Sequence, residues 1–156
     1  MPDPPLLVSA CLLGVRCNHR GEASPSPSVV ALAATHRLIP ICPETAGGLA
    51  TPRPAAEVRS DGTVSTGAGQ DVTSAYRRGA AAAVALARSV GAERAVLKAR
   101  SPSCGCHERY DGTFSRTLVR GEGMAAAALR EAGLEVFSEE DLATWPGQEP
   151  MLPSRR

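Results

Sequence analysis

The stretch Asp71–Lys98, DVTSAYRRGAAAAVALARSVGAERAVLK, decides the architecture. Residues 72–90 read as one alanine-rich helix, with Asp71 or Thr73 at its start and Gly91 as its stop. A short apolar run at 94–98 follows at once and reads as a β-strand. Working outward, comparable apolar runs lie at 6–10, 38–42 and 134–137. Helix-like segments fill the gaps at 26–36 and 123–132, the first opened by Ser26-Pro27 and the second closed by Gly133. A further short helix is expected after Ser138. Strands alternating with helices specify an α/β fold: a largely parallel sheet flanked by helices, Rossmann-like and three-layered, with right-handed crossovers. One segment departs from the alternation. Residues 56–65 carry Asp61-Gly62 between two short polar-apolar runs and read as an inserted β-hairpin. Residues 1–144 are expected to form a single domain, and 145–156, with three prolines, a C-terminal tail.

At 156 residues, 43% hydrophobic and 21% charged, the composition is that of an ordinary globular protein. A formal net charge of +1 lacks the basic footprint that a stable nucleic-acid complex requires. Five aromatic residues provide no stacking platform for single strands. The start, Met1-Pro2-Asp3-Pro4-Pro5, shows no secretory pattern, and the apolar run Ala80–Ala87 is far shorter than the roughly 20 residues of a membrane span. A cytoplasmic protein acting on a small molecule is the expectation. In that compartment, five cysteines point to metal binding or catalysis rather than to disulfides. Sixteen of the basic residues are Arg, and the lone Lys98 lies six positions before Cys104.

Three cysteines stand where strands end: Cys11 after Leu6-Leu7-Val8, Cys42 after Leu38–Ile41, and Cys104 in the loop beyond Leu97. Ligands of open α/β sheets bind outside the carboxyl ends of the strands, so these thiols can converge although distant in sequence. Cys42 opens the segment Cys42-Pro43-Glu44, followed by Gly47-Gly48, a pair that lets backbone approach a ligand, and by Arg53 in a proline-flanked turn. Glu44 is a candidate for proton transfer there. Ser101 and Ser103 flank Pro102 just before Cys104, where a hydroxyl could bond cluster sulfur or position a substrate. Spacing leaves the metal undecided. The C-x5-C and C-x-C pairs fit neither zinc knuckles nor ferredoxins, although Cys104, Cys106 and His107 form a local thiol–thiol–imidazole group. Dispersed single cysteines suit an iron–sulfur cluster better. A cysteine nucleophile would need an activating histidine, and His19, His36 and His107 stand in no such motif.

Taken together, Val8–Gly14, Cys42-Pro43-Glu44, Gly47-Gly48-Leu49, Pro52-Arg53, Gly69–Thr73, Leu97-Lys98, Ser101–Gly105 and Tyr110–Phe114 resemble the thiouracil desulfurase (desulfidase) family over about residues 6–142. The resemblance implies a [4Fe-4S] cluster ligated by Cys11, Cys42 and Cys104, with one iron free of protein to bind the substrate's sulfur. It implies Glu44 and Ser101 as the catalytic carboxylate and hydroxyl. The implied reaction is non-redox desulfuration of a thiolated pyrimidine base, giving uracil and hydrogen sulfide. Cys17 is then not a ligand, and Cys106, His107 and Ala99 depart from the family pattern. A non-catalytic cluster- or metal-binding sensor is the alternative; it would need the cysteines but neither Glu44 nor Ser101.

Overall fold

A computed structural model describes residues 3–145. Four strands, β1 (Pro5–Ser9), β2 (Arg37–Ile41), β5 (Arg94–Leu97) and β8 (Glu135–Ser138), form one parallel sheet in the order β2-β1-β5-β8. Two antiparallel hairpins stand apart from it: β3 (Ala56–Val58) with β4 (Val64–Thr66), and β6 (Glu108–Tyr110) with β7 (Leu118–Arg120). The helices are α1 (Pro27–Val30), α2 (Pro43–Ala46), α3 (Thr73–Val90) and α4 (Met124–Glu131). Three short 3₁₀ turns complete the order, at Ala10–Leu13, Ala31–Ala34 and Glu139–Thr144.

The sheet is buried on both faces, as parallel sheets are. Leu7, Ala95, Leu97 and Val136 face one way, into a core with Ala83 and Ala87 of α3 and Ala125 and Leu129 of α4. Leu6, Val8, Val96 and Phe137 face the other way, toward Leu12, Val29 and Leu32. The period of two along each strand thus sorts one run of apolar residues into two cores. Alanine dominates the buried face of α3, which lets that helix lie close to the sheet. Pro40, which donates no ladder hydrogen bond, sits on the edge strand β2.

The alternation expected from the sequence is the one found, with differences in detail. The segment 26–36 is not one α-helix but α1 followed by a 3₁₀ turn, which places Val29 and Leu32 on one buried line. Asp71 does not cap α3 directly; its carboxylate accepts the Thr73 N–H at 2.9 Å in a turn before the helix. Gly91, at φ 74, ends α3 as expected. Hairpin β6–β7 was not foreseen. Trp145, the first residue assigned to the tail, is 4% exposed and packs edge-on against Phe137; residues 146–156 lie outside the described residues. Among the described residues, no helix is long and apolar enough to cross a membrane.

Candidate active site

Three adjacent strands deliver the site. β1 ends at Ser9, and Cys11 follows on the first 3₁₀ turn. β2 ends at Ile41, and Cys42 is the residue immediately before α2, with Glu44 in the first turn of that helix. β5 ends at Leu97, and the loop beyond it carries Ser101 and Cys104. The topology β2-β1-β5 puts all three exits at one end of the sheet, where they wall a cleft of about 740 Å³. Cys11, Cys42, Cys104, Glu44 and Ser101 all line it, as does Cys17.

The thiols are free and sense one another. Burial first, then Cys42, pushes the Cys11 thiol up to about 11. Burial also pushes Cys104 up, against the lowering effect of a hydrogen bond from Ser9, with Cys11 and Cys42 adding to the rise. Neighbouring buried thiols resist joint ionisation, and a multivalent cation is what removes that cost. A single tetrahedral zinc, with bonds of about 2.3 Å, would require its thiolates roughly 3.8 Å apart. Among the described residues, no three sulfurs gather within 4.8 Å of one another. The donor set is therefore all-sulfur and wider than one ion, which fits an iron–sulfur cluster of the three-cysteine kind.

Ser9 was missed in the sequence. Its hydroxyl accepts the Lys98 N–H at 2.9 Å and donates to Cys104 Sγ at 3.2 Å. The Ser101 hydroxyl accepts the backbone N–H groups of Ser103 (3.1 Å) and Cys104 (2.9 Å). Those two bonds hold the Cys104 turn and leave the Ser101 hydroxyl proton as its remaining donor. Ser103 Oγ is buried without a partner among the described residues.

Glu44 is clamped on both oxygens. Arg53 Nη2 donates to Oε1 at 2.8 Å, and the Tyr76 hydroxyl donates to Oε2. Arg53 also donates to the Cys17 carbonyl at 2.8 Å, and its side chain is only 5% exposed. Burial, then Glu44, raises the Tyr76 phenol, so it remains a proton donor. Arg53 was visible in the sequence as a charged residue in a stiff turn. Tyr76 was not, being 32 positions away; a phenol in the first turn of an alanine-rich helix was the available signal.

Gly47, the first of the Gly47-Gly48 pair, serves helix packing. A Cβ at Gly47 would lie 2.0 Å from the Ala75 carbonyl oxygen, and one at Gly79 1.9 Å from that of Pro43. Gly47 and Gly79 let α2, with Cys42 and Glu44, press directly onto α3. Lys98 lines the cleft and pairs with Glu139 at 3.1 Å. Unlike Cys104, Cys106 and His107 do not line the cleft.

The family model described as 2-thiouracil desulfurase matches residues 6–141. The chain belongs to the 2-thiouracil desulfurase family. It is 39% identical over 146 residues to the uncharacterized protein YbbK of Bacillus subtilis (strain 168), an alignment covering 88% of this chain and 97% of the other. Among solved structures it is similar to the [4Fe-4S]-dependent thiouracil desulfidase TudS, with a TM-score of 0.85 and 42% identity. That match covers 91% of this chain and 95% of TudS. The cleft-lining residues of this desulfurase-family fold, from Ser9 at the end of β1 to Arg116, all fall within the matched span.

Proposed function

We propose that this chain is a non-redox desulfurase that converts a thiolated pyrimidine such as thiouracil, with one water, to uracil and hydrogen sulfide. The observation that supports it best is the coincidence, in one cleft, of three strand-end thiols with a doubly clamped carboxylate. Cys11, Cys42 and Cys104 would hold a [4Fe-4S] cluster. When bound, such a cluster supplies one iron without a protein ligand, a soft Lewis acid suited to a thiocarbonyl sulfur.

The chain's own groups do the rest. Glu44, fixed by Arg53 and Tyr76, takes the proton of the attacking water at a carboxylate oxygen. Arg53 and Tyr76 hold that carboxylate in one orientation, so little of its freedom is lost when substrate arrives. Ser101, its oxygen already engaged by two N–H groups, gives its proton toward the substrate. The cleft, about 740 Å³, is large enough for a pyrimidine, and the chain's net charge of +1 lacks the excess of basic charge of a polymer-binding protein; small thiolated bases are the substrate class.

The clamp also argues against the sensor alternative, which has no use for a carboxylate gripped on both sides. Anaerobic reconstitution with iron and sulfide, followed by 4-thiouracil, tests the reading. About four irons per chain and loss of the thiouracil absorbance with sulfide release are expected. Glu44→Gln should keep its iron and lose turnover. A loaded cluster with full turnover in that variant would refute the role of Glu44, and absence of iron would refute the cofactor.

A further inference from the structure

Outside the cleft, on the far side of the Cys104 loop, three ligand-bearing side chains of three different types meet. Cys106 and His107 come from the loop between β5 and β6, and Asp141 from the 3₁₀ turn after β8. Their Sγ, imidazole nitrogen and carboxylate oxygen all lie within 4.8 Å of one another. No other triple of Cys, His, Asp or Glu does so among the described residues. None of the three lines the cleft.

We propose that Cys106, His107 and Asp141 form a second metal site, for a single borderline-soft divalent ion of the zinc class, independent of the proposed cluster.

The donor set selects the ion. One thiolate and one imidazole favour zinc or cobalt over magnesium or calcium, and a carboxylate is an ordinary third ligand for zinc. With metal–ligand bonds of about 2.0–2.3 Å, tetrahedral donors sit roughly 3.3–3.8 Å apart, so the donors need only small shifts from a group already within 4.8 Å, the 2.7 Å His107–Asp141 hydrogen bond opening as the ion enters. The fourth position is left to water. On binding, the Cys106 thiol proton passes to bulk water and the sulfur becomes the ligand, while the neutral His107 ring keeps its one proton on the nitrogen that does not ligate.

The three side chains are already gathered, and the backbone that carries them is anchored. His107 Nε2 already points at Asp141 Oδ2, 2.7 Å away, and the same oxygen accepts the Ser138 N–H at 2.7 Å. The carbonyl of Cys106 accepts from Arg130, and that of His107 from Gly121 N at 3.1 Å, so both backbone positions are anchored. Cys106 is buried while His107 is exposed: the thiol forms the floor, and the ion can enter past the imidazole. Arg130 is nearby, but it is paired with Glu122.

The position suggests what the ion would do. Glu139, in the same 3₁₀ turn as Asp141, already holds the Lys98 ammonium and the Ala99 N–H (2.8 Å). A metal at Cys106, His107 and Asp141 would add a second tie between this turn and the loop presenting Cys104, bracing the cluster loop from behind.

The test compares cluster-loaded wild-type protein with His107→Ala and Cys106→Ser after equilibrium dialysis against zinc, with zinc and iron quantified per chain. His107 is exposed, so its truncation should not compromise folding. The expected result is about one zinc per chain more in wild type than in either variant, with equal iron in all three, and a zinc-dependent rise in melting temperature in wild type alone. The comparison is by difference, so zinc taken up in the cleft cancels. Equal zinc in wild type and His107→Ala, or no zinc in either, would overturn the proposal and leave His107–Asp141 as a plain hydrogen bond.

Discussion

Ser9 Oγ lies 3.2 Å from Cys104 Sγ, joining the end of β1 to a loop 95 positions later. Because the same oxygen accepts the Lys98 N–H, its own proton is directed at the sulfur. One buried hydroxyl therefore sets both the loop and the electrostatics of one proposed ligand.

Ser9→Ala removes that donor and strands the Lys98 N–H. Cluster-free protein should lose about 1–3 kcal/mol in urea unfolding, the cost of a buried unsatisfied group. In the reconstituted protein the reduction potential should move negative, because hydrogen bonds to cluster sulfur raise it. An unchanged potential would show that Ser9 acts on the fold alone.

Tyr76→Phe keeps the ring packing and deletes one of the two clamps on Glu44. Turnover of thiouracil should fall by about tenfold, less than the ~10²–10⁴ expected for loss of Glu44 itself as a general base. Iron content should not change, and the loss should appear in kcat more than in KM. A variant as slow as Glu44→Gln would mean that Tyr76 itself handles a proton.

Gly79→Ala tests how α3 positions Cys42. The added methyl meets the Pro43 carbonyl oxygen at 1.9 Å, and backbone cannot step aside cheaply. Overpacking of this kind costs about 1–3 kcal/mol or more. Iron retention after gel filtration should drop with stability, since α2 carries Cys42 away from its partners. Full iron loading in Gly79→Ala would refute the dependence.

Stability of the cluster-free protein should depend on alkaline pH. Burial, then Cys42, lifts Cys11 to about 11 and Cys17 to about 12, from an ordinary value of 9.0. The folded state thus keeps protons that the unfolded chain releases above pH 9, and stability falls as pH rises through that window. It is fully present below pH 9. Thiolates committed to a metal no longer titrate, so loaded protein should show a flatter profile between about pH 9 and 11. Urea midpoints across that range, with and without cluster, measure the difference.

Much of this was legible in the residues. The four sheet strands read as short apolar runs because both sheet faces are buried, and α3 read as a helix because its composition and its terminal Gly91 agree. Cys11, Cys42 and Cys104 were visible because each stands just past such a run. Hairpin β6–β7 was not, since Leu118 and Val119 are exposed and the segment carries no inward-facing period.

What the sequence by itself determined is the local grammar: which runs bury both faces, where glycine and proline end them, and which thiols follow strand ends. Only the tertiary structure decided partnership. Tyr76 on Glu44, Ser9 on Cys104 and Asp141 beside Cys106 are contacts between segments 32 to 95 positions apart or brought together by sheet order. Hydrophobic patterning reports which face of an element is buried, whereas a hydrogen bond depends on where two elements come to rest relative to one another. The order β2-β1-β5-β8 and the close seat of α2 on α3 set those positions, and no local pattern encodes either.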